Sequence, residues 1–190
     1  DILIVDDNSS DGTIDVLKNF ENKFKNINLI IREKKLGLNT AHKIGYNYAI
    51  KNDYDYFITL DADLSHDPSE LPNFIKLLNS NPFVIGSRYT KGGKCELPFA
   101  RLLLSVLGNK FIKLISRINC SEFTTSFRGF NLRKIENFDM NLVKSNGYSF
   151  FMETIFLVSK FNLIVEVPIH FKNRTSGKSK IPKIEIIRTL

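Results

Sequence analysis

Several residue types that would settle a class early are scarce in this chain of 190 residues. There are two cysteines, Cys95 and Cys120. They make no disulfide framework, and they lack the close spacing of a zinc knuckle. A reducing compartment is the simpler setting. Six prolines, ten glycines and no low-complexity tract exclude collagen-like, mucin-like and linker-dominated chains. No internal repeat is visible, which argues against a solenoid. No apolar run reaches the roughly 20 residues that a membrane span needs, and no signal peptide opens the chain. The sequence begins at Asp1, straight into the apolar run Ile2-Leu3-Ile4-Val5, and Ile184 to Leu190 reads as a helix cut short. The expectation from these ends is a missing N-terminus, with the C-terminus open to the same reading.

What is present is ordinary for a folded domain: 43% hydrophobic and 25% charged residues, over a length that suits one domain. Lys and Arg outnumber Asp and Glu by 27 to 20, a net charge of +7. Such a balance fits nucleic acid, phosphate-bearing substrates or an anionic membrane face, or else a cationic soluble surface.

The hydrophobic pattern alternates. Ile2–Val5 reads as a buried strand, and Ser10 or Asp11 is placed to cap the helix after it, where Ile14, Leu17, Phe20 and Phe24 form one stripe. Ile27–Ile31 is a second strand, and about Asn39 to Lys51 a second helix. Tyr56–Leu60 is a third strand, Pro68 opens a third helix, and Phe83–Ile85 is a fourth strand. Alternation of this kind predicts an α/β fold, a mostly parallel sheet with helices on both faces. The second half reads as a helix over Phe99–Ile118, a strand or hairpin within Phe123–Leu132, a helix over Tyr148–Phe161 and a strand over Leu163–Phe171. A basic loop, Lys172 to Lys180, follows.

In such sheets ligands bind beyond the carboxyl ends of the strands. Two acidic clusters fall there: Asp6-Asp7 after the first strand and Asp61-Ala62-Asp63 after the third. Asp61 and Asp63 offer hard oxygens that suit Mg2+ or Mn2+ and, through it, a diphosphate. An Asp-x-Asp alone is more often a helix-capping turn; the strand-end position and the second cluster reverse that. With Ser10 or Asp11 capping, Asp6 and Asp7 are left for a ligand. Arg88, Arg101, Arg174, Lys178 and Lys180 lie in loops or near a helix start and can bind phosphate. His66 reads equally as a third ligand, a general base or a helix cap. Gly177-Lys178-Ser179 resembles the end of a phosphate-binding loop, but Lys172 stands where the first glycine belongs. The Phe99–Ile118 helix mixes Leu, Ile and Phe with Arg and Lys, a pattern shared by sheet-packed helices and by helices lying on a membrane, with a slight lean to the second. Basic loops without aromatic interleaving argue against nucleic acid.

Ile4-Val5-Asp6-Asp7-Asn8-Ser9-Ser10-Asp11-Gly12-Thr13 resembles the V-D-D-x-S-x-D-G-T signature of family 2 inverting glycosyltransferases. Asp61-Ala62-Asp63-Leu64-Ser65-His66-Asp67-Pro68, then Gly86-Ser87-Arg88-Tyr89 and Gly92-Gly93, resemble its dolichyl- or polyprenyl-phosphate mannosyltransferase branch. So do Glu166-Val167-Pro168-Ile169 and the following Arg174, Gly177, Ser179 and Lys180. The resemblance implies a GT-A nucleotide-binding fold and one catalytic domain over 1–190. It implies that Ile4 and Asp6 contact the nucleotide, and that Asp61, Ala62 and Asp63 hold Mg2+ or Mn2+ and the sugar diphosphate. Arg88, Arg174 and Lys180 would bind donor or acceptor phosphates, and Arg101 and Ser105 further acceptor phosphate. Asp61, Asp63 and Arg88 are the expected catalytic set. Glu153 matches a recurrent acidic position whose role is left open.

Some features depart from the family. Its opening strand, with a P-x-Y-N-E segment, is absent. Glu122 and Thr125 stand where Asp and Gly are usual, and Ser65 where some relatives carry a Gln ligand. The implied reaction moves mannose from GDP-mannose to a polyprenyl phosphate with inversion, giving a β-linked product. It would take place at the cytoplasmic face of a membrane: the endoplasmic reticulum in a eukaryote, the inner membrane in a bacterium. A membrane subunit is an allowed partner. The rival readings are another donor such as UDP-glucose, and a non-catalytic nucleotide-sugar-binding fragment.

Overall fold

The computed structural model describes residues 1–172. Strand β1 (Ile2–Asp6) leads through helix α1 (Thr13–Lys23) to β2 (Ile27–Ile31), which pairs with β1 in parallel from Ile2 opposite Ile27 to Asp6 opposite Ile31. Helix α2 (Leu38–Lys51), β3 (Tyr56–Thr59), a short 3-10 turn at Pro68–Glu70, α3 (Leu71–Leu78) and β4 (Phe83–Ser87) complete the alternating half. Then come β5 (Lys94–Cys95), α4 (Phe99–Ser116), β6 (Arg128–Asn131), α5 (Gly147–Ser159), β7 (Ile164–Pro168) and β8 (His170–Phe171).

The central sheet has the order β3-β6-β4-β7. β4 and β7 are parallel, as are β5 and β8, whereas β6 enters antiparallel between β3 and β4. Parallel pairings therefore predominate, in an α/β architecture, and the one reversed strand is the segment whose alternation was loose in the sequence. The expected strand over Leu163–Phe171 is two strands, with the break falling after Pro168, which lacks the N–H that a continuing ladder would need.

The start of α1 differs from expectation. Gly12, at φ +86, occupies the cap position, and no side chain caps the helix in the usual way. Asp11 instead accepts hydrogen bonds from the backbone and hydroxyl of Thr13. The left-handed backbone at Gly12 is what only glycine adopts cheaply.

Side-chain alternation along the central strands divides the core in two. Phe83, Ile85 and Phe130 face Tyr46 of α2 and Phe150, Phe151 and Ile155 of α5. Val84 and Val167 face Phe74 and Leu78 of α3. Gly129 lets α3 come close, since a Cβ there would sit 2.8 Å from Leu78 Cδ1. β4 and β6, paired on both edges, are buried throughout. No residue of β1 or β3 is fully buried; among the described residues each has one strand partner, and α2 lies against both.

His42 of α2 sits against Phe150 and Phe151, with ring centroids at 5.5 and 5.2 Å. Burial, reinforced by the Arg128 guanidinium, lowers its pKa to about 3. The folded protein thus keeps His42 neutral where the unfolded chain would protonate it. The stabilisation is complete above pH ~6.5 and is lost as pH falls toward 3. We expect the thermal midpoint to drop between pH 7 and 4, and His42→Phe to flatten that slope in a pH series of melting curves.

Candidate functional site

Because β3, β4 and β7 run the same way and β6 runs against them, three strand ends and one strand start share one edge. Asp61 and Asp63 follow β3, Arg88 follows β4, residues 122–127 lead into β6, and His170–Phe171 follow β7.

The acidic loop is braced from several sides. The Ser126 hydroxyl donates to Asp61 Oδ1 at 2.6 Å. The backbone N–H of Asp61 donates to His66 Nδ1 at 3.0 Å. Asp63 Oδ1 accepts from the backbone and hydroxyl of Ser65, and the chain turns through Leu64 at φ +64. That left-handed residue stores strain of order 1–2 kcal/mol. Each carboxylate thus has its Oδ1 tied down from behind. Among the described residues no group of three or more His, Cys, Asp or Glu side chains forms a metal cage. Two carboxylates suffice for Mg2+ or Mn2+, which keep waters and take substrate phosphates as further ligands.

His66 is neither ligand nor cap here. Its ring is buried between Phe127 and Phe171, at 5.2 and 5.5 Å. Nδ1 accepts from Asp61, so the neutral ring carries its proton on Nε2, which has no partner among the described residues. Burial lowers its pKa against the opposing pull of Asp61 and Asp63, with smaller contributions from Arg88 and Glu122. The helix cap is Asp67, which accepts from the Ser69 backbone N–H and pairs with Lys172. Lys172 also donates its backbone N–H to Ser65 O at 3.2 Å, so the chain leaves the described region against the acidic loop. Arg174, Lys178 and Lys180 lie outside the described residues.

Arg88 is almost wholly enclosed. Nε donates to Glu122 Oε2 at 2.6 Å and Nη2 to Glu122 Oε1 at 2.9 Å, a bidentate pair with Glu122 at 0% exposure. Burial works against both charges. The Arg88 charge and the hydrogen bonds outweigh it, leaving the Glu122 pKa lowered and that of Arg88 raised. Breaking such a pair by removing one partner costs about 3–5 kcal/mol. The guanidinium lies over the rings of Tyr89 and Phe171, at 4.9 and 5.2 Å. The Tyr89 hydroxyl donates to Ser105 Oγ of α4 at 2.6 Å, and Arg101 is exposed one turn earlier on that helix.

The stretch before β6 links these parts. Thr124 donates its backbone N–H and its hydroxyl to Glu122, and the Phe123 N–H donates to Asn109 Oδ1 of α4 at 2.7 Å. Arg128, at 1% exposure, donates to the carbonyls of Phe123, Thr125 and Phe151 and lies 4.7 Å from the Phe151 ring centre. With carbonyls rather than a carboxylate around it, burial lowers its pKa to about 9.

The first acidic cluster is spoken for. Both Asp6 oxygens accept from Ser9, one from its N–H at 2.7 Å and one from its hydroxyl at 2.8 Å. Asp7 pairs with the buried Arg32, which also donates to Thr40 and Gly37. Asp6 and Asp7 therefore have protein partners that the capping argument did not foresee, and each Asp6 oxygen keeps a lone pair for a further donor. Ile4, part-buried, faces Leu29 across β1 and β2, and this pair of strands reaches the central sheet through α2. Glu153 braces a loop by accepting the N–H groups of Lys144 and Ser145. A surface hollow lined by Pro82, Lys134, Ile135 and Leu163 opens at the other edge of the sheet, away from these groups.

The family model described as glycosyl transferase family 2 matches residues 1–138. The chain belongs to this family. It is 32% identical over 183 residues to the undecaprenyl-phosphate mannosyltransferase of Micrococcus luteus, covering 95% of this chain and 75% of that one. It is 30% identical over 184 residues to the polyprenol monophosphomannose synthase of Mycolicibacterium smegmatis, covering 95% and 69%. With the dolichol-phosphate mannosyltransferase of Pyrococcus furiosus the identity is 35% over 186 residues, covering 95% of this chain and 50% of that protein.

The glucosyl-3-phosphoglycerate synthase of Mycobacterium tuberculosis, solved with Mn2+ and UDP-glucose, shares the fold. The TM-score is 0.57 at 13% identity, covering 98% of this chain and 63% of that one. The same enzyme with phosphoglyceric acid gives 0.55 at 12% identity, covering 93% and 61%. The chain therefore spans about six-tenths of these solved neighbours and half of the Pyrococcus relative.

For this glycosyltransferase-family domain, sequence reasoning missed three supports: Ser126 behind Asp61, Glu122 beside Arg88, and Arg32 on Asp7. Each bond joins residues far apart in the chain, so no local pattern marks it. Gly93 is a fourth. A Cβ there would stand 2.6 Å from Ser87 O and 2.7 Å from the Arg88 carbonyl. We expect Gly93→Ala to destabilise the domain by about 1–3 kcal/mol in urea unfolding, with the strain falling on the backbone that carries Arg88.

Proposed function

We propose that residues 1–190 form a single glycosyltransferase catalytic domain that transfers mannose from GDP-mannose to a polyprenyl phosphate with inversion. The observation that carries this is the shared sheet edge, where Asp61 and Asp63 follow β3, Arg88 follows β4, and the Phe171 ring lies against both Arg88 and His66. Membership of family 2 and the names of the three mannosyltransferase relatives support the substrates.

Asp61 and Asp63 would hold Mg2+ or Mn2+, with Ala62 between them at the donor. Such a cation neutralises charge on a diphosphate leaving group. Ser126, Ser65 and His66 fix the two carboxylates beforehand, so little reorganisation is left to the reaction. The acceptor phosphate is already an anionic nucleophile and needs no strong general base. Arg88, with Arg101 and Ser105 on α4, would place it for in-line attack, which inverts the sugar carbon. Arg174 and Lys180 extend the phosphate-binding set, and Ile4 and Asp6 the nucleotide-binding one. Each Asp6 oxygen accepts one hydrogen bond from Ser9, and its remaining lone pairs would serve the nucleotide.

No described helix is long and apolar enough to cross a membrane. Helix α4 instead suits lying on one. Phe99, Leu104, Leu114 and Ile115 are 79%, 61%, 76% and 65% exposed, and the helix carries Arg101, Lys110 and Lys113 with no acidic residue. An apolar ridge flanked by cations matches an anionic lipid surface. It would bring Ser105 and Arg101 to a lipid-borne phosphate at the cytoplasmic face, with or without a membrane subunit.

With GDP-mannose, undecaprenyl phosphate and Mn2+, we expect the protein to make a prenyl-linked mannose and Asp63→Ala to lower turnover by about 100-fold or more. Full activity in that variant would remove the metal assignment, and transfer from UDP-glucose instead would remove the donor. The double substitution Leu104→Glu, Leu114→Glu should abolish sedimentation with phosphatidylglycerol vesicles while GDP binding, followed by calorimetry, persists.

A further inference from the structure

A guanidinium can donate paired hydrogen bonds along a side-on edge, Nε with Nη2, and along an end-on edge, Nη1 with Nη2. In Arg88 the side-on edge is filled by Glu122. The second Nη2 hydrogen is donated to Thr124 Oγ1 at 2.9 Å, and that hydroxyl in turn donates a hydrogen bond to Glu122 Oε1 at 2.8 Å. Nη1 is the one guanidinium nitrogen with no hydrogen bond to a described residue. Tyr89 and Phe171 pack against the guanidinium, with ring centres 4.9 and 5.2 Å from Cζ. Among the described residues, the hydrogen bonds of the guanidinium thus hold Nε and Nη2 and leave Nη1 to a ligand.

We propose that Glu122 is a positioning residue that locks Arg88 side-on, so that the acceptor phosphate meets it through Nη1 alone. This rests on the reading of Arg88 as an acceptor-phosphate contact. The lock has two chemical consequences. A single fixed donor defines where one phosphate oxygen sits, which a freely rotating fork would not. The carboxylate also offsets the guanidinium charge, so the site grips by direction more than by net charge. That matters because glycosyl transfer converts a phosphate monoester into a diester of lower charge, and a product held only by a directed bond leaves readily.

Two measurements test the proposal. The first is the Arg88 side-chain signal in a 15N-labelled protein, assigned by its loss in Arg88→Lys, during titration with geranyl phosphate. The Nε–H resonance should stay in place while the Nη signals shift. Movement of Nε–H would mean that phosphate displaces Glu122 from the side-on edge, and no shift in any Arg88 signal at saturation would mean that the phosphate does not meet Arg88; either overturns the proposal. The second is transfer kinetics, with folding checked by circular dichroism. Glu122→Gln should raise the KM for polyprenyl phosphate about tenfold, the loss of one well-aligned charged hydrogen bond. The KM for GDP-mannose should stay within about twofold, and Glu122→Asp should recover most of the acceptor KM. An unchanged or lowered acceptor KM in folded Glu122→Gln, or no recovery in Glu122→Asp, overturns it. Should Glu122→Gln fail to fold, Glu122→Asp and the titration still decide. Should the unaltered protein transfer no mannose while Nε–H stays fixed and Nη shifts, the donor and acceptor assignment fails and the side-on lock stands.

Discussion

Glu122 is buried completely, and its charge is tolerable there because Arg88 donates to it side-on and Thr124 adds two more hydrogen bonds. A lone carboxylate in that place would be protonated or would unravel the loop. The pair sets the path of the irregular chain before β6, and much of the site hangs from that path. Ser126 reaches Asp61 from it, Phe123 binds Asn109 of α4, and Arg128 gathers three of the surrounding carbonyls. One charge pair thus fixes the positions of the acidic loop, the helix with the exposed apolar ridge, and the entry into the antiparallel strand.

Around that pair the site is built in two halves that share aromatic walls. Phe171 touches both Arg88 and His66, and His66 in turn holds the Asp61 backbone. A shift of β8 would therefore be felt at the guanidinium and at the carboxylates together. Lys172 strengthens the connection by bonding to Ser65 and Asp67. The acidic loop and the Arg88 side chain are thus coupled by packing and hydrogen bonds.

Strands and helices of the alternating half were legible because their signals are local: short β-branched runs, apolar residues three and four apart, and proline or glycine at the turns. The same local signals placed Asp61, Asp63 and Arg88 after strand ends. The loose alternation of 123–132 was ambiguous because most of that segment is not a strand at all; its regularity is hydrogen bonding to distant partners. His66 read as a possible ligand because sequence shows an imidazole near carboxylates but not which way its ring points. Asp6 and Asp7 read as unoccupied for a related reason: Ser9 is near in sequence but its bonds are conformational, and Arg32 arrives only through the β1–β2 pairing.

By itself, the sequence determined the class of fold, the edge of the sheet where chemistry collects, and the residue types available there, because strand period, helix period and turn chemistry are properties of neighbouring residues. Tertiary structure alone decided which of those residues are already committed. Arg88 is committed to Glu122 and Asp61 to Ser126, while the described residues leave the apolar ridge of α4 exposed. Burial and long-range pairing depend on how distant segments meet, and no window along the chain contains that information.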